Sequence, residues 1–214
     1  MATTLPFLSK TVERNTDIKS VCVFCGSGSG ADPIYEQEAY ELGRVFAANK
    51  IRLVYGGGSV GLMGAVAKGV LENGGEAIGI VPEPLYRHGS KQLCETVIVP
   101  DMHARKKRME EESDAFVCLP GGYGSFEEIL EIICWSQLNI HSKPIVLLNT
   151  KNFYKLFVDF INMSVQEKFI HAKNADIFVL CSDAKDIMET MKSYRAPETR
   201  YNLDWSKSER KSLV

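Results

Sequence analysis

No stretch of this sequence is both long and apolar enough to cross a bilayer, which takes about 20 predominantly apolar residues. The opening MATTLPFLSKTVERNTD also lacks the continuous apolar core of a secretory signal. The expectation is a soluble protein of the cytoplasm, with access to the nucleus left open, and a flexible extension over residues 1–17. Charge of one sign is equally scarce. A formal net charge of −2 gives no general attraction to nucleic acid or to an anionic membrane, so neither is expected as a partner. Paired cysteines are missing too. Cys22, Cys25, Cys94, Cys118, Cys134 and Cys181 are scattered, mostly inside apolar segments, and Cys22-x-x-Cys25 has no second pair to complete a metal site. Buried thiols in a reducing compartment are the expectation. The four histidines have no ligand spacing, so no metal and no cofactor are expected. Internal repeats and low-complexity segments are absent.

What the chain does have is a core and a rhythm. With 214 residues, 45% of them hydrophobic, it can bury one sizeable core. SVCVFC, RLVY, AIGIV, ETVIV, AFVCL and PIVLL read as short buried strands, with IFVLC as a last one. Helical stretches alternate with them over about 33–49, 61–73, 101–112, 125–138, the run FYKLFVDFINMSVQEKF, and 183–194. Alternation of this kind predicts an α/β fold: a doubly wound, mainly parallel, Rossmann-like sheet with helices on both faces. One domain over 18–194 accounts for it, followed by a polar tail over 195–214.

Three of the predicted strands run into glycine. SVCVFC is followed by GSGSG, RLVY by GGGSVGLMG and AFVCL by PGGYGS. In a parallel sheet the carboxyl ends of the strands share one edge, so these turns should converge on one crevice. Backbone N–H groups in such turns approach an anion closely, and a helix amino terminus adds its dipole. Gly26 and Ser27, then Gly57, Gly58, Ser59 and Gly61, then Gly121, Gly122, Gly124 and Ser125 therefore form a candidate site for a phosphorylated ligand. The competing account is that the glycines serve only their own turns. A second rival is an NAD(P)-dependent enzyme: Gly56, Gly58 and Gly61 satisfy G-x-G-x-x-G, and Glu83 ends the next strand where a ribose-binding acid sits. That reading leaves the PGGYGS turn without a role.

The segment DMHARKKRMEEE adds cations. Asp101 is a candidate helix cap, and Met102 and Met109 share a face. Arg105 and Lys106 lie in the first turns, where the helix dipole disfavours positive charge unless an anion is bound nearby. Beyond PGGYG, Ser125-Phe126-Glu127-Glu128 also has the S-x-x-E form of a capping box, so Glu128 has a purely structural account as well.

Taken together, GGGSVGLMG, MHARK, PGGYGSFEE and WSQLNIHSKPIVLLN resemble the LOG ("Lonely guy") family of cytokinin riboside 5′-monophosphate phosphoribohydrolases, from about Ser20 to Tyr194. The resemblance implies hydrolysis of the N-glycosidic bond of an adenosine 5′-monophosphate substituted on its exocyclic amine, giving free base and ribose 5-phosphate. It implies Arg105 and Glu128 as catalytic residues, with Met102, Lys106 and Glu127 beside the nucleotide and no cofactor. It also implies a homodimer, for which the surplus apolar bulk of ILEIICWSQL, Ile132 and Trp135 in particular, is a candidate interface. The sequence departs from the family pattern in places. Ser125 replaces the usual threonine and keeps the hydroxyl. Cys134 stands where threonine is common, which is expected to remove a hydrogen bond near the site. The loop EPLYRHGSKQL after the third strand lacks an acidic residue in its middle, and Lys168 replaces a common glycine. The older "lysine decarboxylase" label for such proteins has no pyridoxal-anchoring lysine to support it here. A nucleotide-binding sensor or carrier on the same fold is the remaining alternative.

Overall fold

The structure, a computed structural model, describes residues 17–88 and 92–205. Residues 1–16 of the extension expected over 1–17, and the end of the tail, 206–214, lie outside the described residues.

Seven strands form one sheet in the order β4-β3-β2-β1-β5-β6-β7. They are β1 (Ser20–Phe24), β2 (Arg52–Tyr55), β3 (Ala77–Pro82), β4 (Glu95–Val99), β5 (Ala115–Cys118), β6 (Ile145–Leu148) and β7 (Val179–Cys181). Every neighbouring pair is parallel. The central strands β1, β5 and β6 are buried along their whole length, as strands covered on both faces must be.

Period-2 alternation divides the strand residues between two cores. Val21, Val23, Leu53, Tyr55 and Val117 pack beneath α1 (Ile34–Ala48), α2 (Gly61–Leu71) and α7 (Ile187–Ser193). Cys22, Phe24, Val54, Phe116 and Cys118 pack on the other side, beneath α4 (Met102–Glu111), α5 (Tyr123–Gln137) and α6 (Lys155–Gln166). The same alternation sends Cys22 and Cys25 into different cores, so the C-x-x-C pattern is not a dithiol pair. The chain order reverses between β1 and β5, and the helices that follow these strands, α1 and α5, lie on opposite faces, the arrangement that opens a crevice at the strand ends.

Two features differ from the sequence reading. EPLYRHGSKQL, read as a loop, opens with a short helix, α3 (Glu83–His88). Residues 195–205 do not trail away from the domain. Arg200 Nη1 donates to the carbonyls of Ser136 and His141, Tyr201 N to that of Gln137, and Trp205 Nε1 to that of Leu138. This strap adds donors to carbonyls at and just beyond the last turn of α5, where a helix leaves carbonyls without intrahelical partners; that of Ser136 also accepts from Asn139 N at 2.9 Å. Among the described residues no helix is long and apolar enough to cross a membrane.

Candidate active site

The three glycine turns meet backbone on backbone at the carboxyl edge of the sheet. Gly26 N donates to Pro120 O at 3.0 Å, joining the turn after β1 to the turn after β5. A side chain on Gly121 would put its Cβ 2.2 Å from Ser125 Oγ and 3.0 Å from Gly26 N. Gly61, with φ of +58°, would put a Cβ 2.2 Å from Ser27 O, so it links the turn before α2 to the turn after β1. Glycine is required here because three backbones share a volume that side chains would occupy.

Beside this junction lies a cavity of about 250 Å³. Gly26 and Ser27 form one wall, Gly56 and Met63 another, Arg105 and Met109 of α4 a third, and the start of α5 from Gly122 to Ser125, with Glu128, the fourth. Gly122 is the N-cap of α5 and offers no side chain to the first turn. The N–H groups of that turn therefore lack internal partners and carry the positive end of the helix dipole. An anion at this end of the cavity is the chemistry they suit.

The other end is set by α4 and α5. Asp101 caps α4 by accepting from Ala104 N at 2.8 Å, which fixes the helix start and the direction of the next residue, Arg105. Arg105 Nε donates to the Ile80 carbonyl at 3.1 Å, and its Nη1 lies 3.4 Å from Glu128 Oε1. Both side chains are largely withdrawn from solvent, at 12% and 9% exposure. Burial raises the pKa of Glu128 above the ordinary carboxylate value, and the Arg105 guanidinium pulls it part of the way back. A desolvated carboxylate held by a guanidinium, a short way from an anion-favouring helix end, can support developing positive charge and handle a proton.

The capping-box account of Glu128 is corrected by this geometry. The helix begins at Tyr123, so Ser125 is its third residue and Glu128 lies in the second turn. A capping box needs the serine at the N-cap. The Glu128 carboxylate faces Arg105 instead.

Not every residue singled out from the sequence reaches the cavity wall. Lys106 is buried against Glu127 and Glu131, with Nζ 2.9 Å from Glu131 Oε2 and a short contact to Glu127. Burial works against its charge, but the two carboxylates outweigh it and its pKa is raised. Gly57, at φ of +75°, packs towards Val81 and Gly79, and Gly58 lies beneath Met63. Ser59 and Gly61 line a separate groove with Lys68, and Gly121 faces a neighbouring cavity with Tyr35 and Phe153. Met102 is half exposed, with its Sδ 3.9 Å from Arg105 Nη1. Cys134 is exposed on α5 and does not line the cavity. Glu83 pairs with Arg87 inside α3. Conversely, Met63, Met109 and Tyr123 line the cavity without having been singled out as site residues, and Gly56 does so having been named only for the rival dinucleotide reading. Gly56 and Met63 stand inside GGGSVGLMG, the signal that could have found them.

A family profile described as "Possible lysine decarboxylase" matches residues 63–191. A cytokinin riboside 5′-monophosphate phosphoribohydrolase of Arabidopsis thaliana is 41% identical over 206 residues, covering 94% of this chain and 95% of that one. Its counterpart from Oryza sativa subsp. japonica is 41% identical over 195 residues, covering 90% and 80%. Among solved structures, a molybdenum cofactor carrier protein from Chlamydomonas reinhardtii superposes with a TM-score of 0.62 at 23% identity, over 81% of this chain and 95% of that one. At that identity the likeness speaks for the fold alone.

Proposed function

The chain belongs to the LOG family of cytokinin riboside 5′-monophosphate phosphoribohydrolases, and from that premise we propose that it hydrolyses an adenosine 5′-monophosphate substituted on the exocyclic amine, releasing the base and ribose 5-phosphate. The observation that carries this reading is the buried Arg105–Glu128 pair set opposite the open amino terminus of α5 in one cavity. The phosphate belongs at Gly122, Gly124 and Ser125, with Gly26 and Ser27 alongside.

Departure of the base breaks the C1′–N9 bond and leaves positive charge on the ribose, as in other glycosidic cleavages. The Glu128 carboxylate stabilises that charge and takes a proton from the water whose oxygen bonds to C1′. The departing base gains a proton at nitrogen, so the overall change is addition of one water. Arg105 holds Glu128 in its charged form and fixes the nucleotide. General acid or base groups supply typically about 10²- to 10⁴-fold of rate.

Turnover is expected to require the 5′-phosphate, because the anion-binding helix end holds a group that takes no part in the bond cleavage and acts by positioning the bond that does. Chromatography after incubation with an amine-prenylated adenosine monophosphate should reveal free base. The corresponding nucleoside should give a kcat/KM lower by about 10² or more. Equal kcat/KM for the two would remove the assignment of the phosphate site. Binding of the nucleotide with no release of base would favour the sensor or carrier reading. Among the described residues no lysine lines the cavity, so a decarboxylase with a lysine-anchored cofactor has no anchor there.

The protein works as a homodimer of the cytoplasm in this reading. The free thiols suit a reducing compartment, and the outward face of α6 offers Leu156, Phe160 and Met163 as an unpartnered apolar stripe.

A further inference from the structure

Gly56, the first glycine after β2, is not explained by its backbone. Positive φ occurs at Gly30, Gly57, Gly61 and Gly74 among the described glycines, and not at Gly56. What its missing side chain leaves is room for a guanidinium. A Cβ at this position would lie 2.3 Å from Arg105 Nη2, 3.5 Å from Arg105 Cζ and 3.2 Å from Met63 Sδ. The end of an arginine ordinarily swings aside, but this one is tied by Nε to the Ile80 carbonyl and by Nη1 to Glu128. It cannot clear a methyl group without loosening one of those contacts.

We propose that Gly56 is a positioning residue: its bare Cα is the seat on which the Arg105 guanidinium lies, and it sets the contact between Arg105 and Glu128 in the catalytic cavity. The proposal rests on the hydrolase reading for its effect on rate, but not for its effect on Glu128. It also divides the GGGSVGLMG motif, since Gly57 and Gly61 answer to backbone conformation and close packing while Gly56 answers to a side chain from α4.

The charge on Glu128 reports the seat. The groups that face it are Arg105 and Lys106 from α4, Glu127 and Glu131 from its own helix, and, by their mutual electrostatic influence, Cys22 from β1, Cys25 just after that strand and Cys118 from β5. Burial holds the three thiols neutral, and Lys106 is shared between Glu127 and Glu131. Arg105 is thus the cation on which a charged Glu128 depends most, and displacing it leaves the burial of that carboxylate less compensated.

The experiment compares the parent with Gly56→Ala, Arg105→Ala and the double variant. It follows the Glu128 carboxyl by carbon-13 NMR titration, assigned through Glu128→Gln, and measures turnover. Gly56→Ala should raise the Glu128 midpoint by about one unit or more and lower kcat by about 10-fold or more. In the Arg105→Ala background, where the guanidinium is gone, the same change should alter kcat by no more than about twofold. An unchanged Glu128 midpoint in folded Gly56→Ala overturns the proposal. If Gly56→Ala does not fold, the double variant should, and failure of both overturns it equally. A parent with no turnover on the nucleotide removes the hydrolase reading, while the titration still decides the seat.

Discussion

Glu127, Glu128 and Glu131 lie within two turns of one helix, and only Glu128 faces the cavity. Glu127 and Glu131 share Lys106, so their charge is met on the flank of α5, whereas Glu128 is buried and turned to Arg105. That distinction was half legible in the sequence. SFEE places two adjacent glutamates just past a glycine turn, but which one points inward depends on the phase of the helix, and the phase depends on where it starts. The S-x-x-E pattern suggests a start at Ser125, while the chain begins the helix at Tyr123 because Gly122 serves as the N-cap. Replacing Glu128 by glutamine keeps the volume and the acceptor facing Arg105 and removes the buried charge. Turnover should fall by about 10² or more, while the melting temperature stays within a few degrees, since no cap is lost. On the proposed mechanism Glu128 acts as the carboxylate, and burial has raised its pKa. Activity should therefore fade as pH drops through a midpoint above the usual glutamate value of about 4.3. A kcat/KM profile whose acid limb lies at or below that value, or an active Glu128→Gln protein, would move the role to another group.

Elements were easiest to read where burial is two-sided. AFVCL and PIVLL are apolar at every position because β5 and β6 are covered on both faces, and the parallel pairing follows from the helices between them. α3 escaped notice because EPLYRH is too short to show a stripe. The strap over 195–205 escaped it for a different reason: what fixes it is a set of hydrogen bonds to helix-end carbonyls, and hydrogen bonds leave no periodic trace in a sequence. Arg200 is its centre, donating to the carbonyls of Ser136 and His141 and to Ser142 Oγ at 3.0 Å. Arg200→Ala would leave the His141 carbonyl to find water, while that of Ser136 keeps Asn139 N, and should cost about 1–3 kcal/mol. For a chain of this size that lowers the melting temperature by roughly 2–10 °C. Because Arg200 lies at the opposite end of α5 from the cavity, kcat and KM at 25 °C should match the parent. A melting curve unchanged in Arg200→Ala would mean that the strap contributes nothing to the fold, and a changed KM would mean that its effect reaches the site.

At the scale of the whole molecule the question is what covers α6. Its inner side is accounted for, since Phe157, Val158 and Ile161 pack on the core, yet no residue of the helix is fully buried. Its outer side presents Leu156 at 79% exposure, Phe160 at 59% and Met163 at 50%, spaced i, i+4 and i+7 on one face. The residues first expected at an interface are not those. Ile132 is 1% exposed and belongs to the core, while Trp135 is only partly buried and Leu130, at 44% exposure, lies on the surface, so ILEIICWSQL is spent on the core only in part. Covering an apolar stripe of this kind removes it from water, and a second copy related by a two-fold axis is the simplest cover, because each residue then counts twice. Fully burying a phenylalanine side chain is worth about 1.5–3 kcal/mol. Phe160→Lys removes that contribution from both copies and brings two like charges together at the interface. Light scattering at micromolar concentration should return about twice the 23.9 kDa chain mass for the parent and the single-chain mass for Phe160→Lys. Because Phe160 is 59% exposed and outside the core, the far-ultraviolet circular dichroism of the variant should match the parent, so that loss of the dimer is not mistaken for loss of the fold. A parent that scatters as one chain and is fully active would show that α6 is left uncovered, and the stripe would then need another partner.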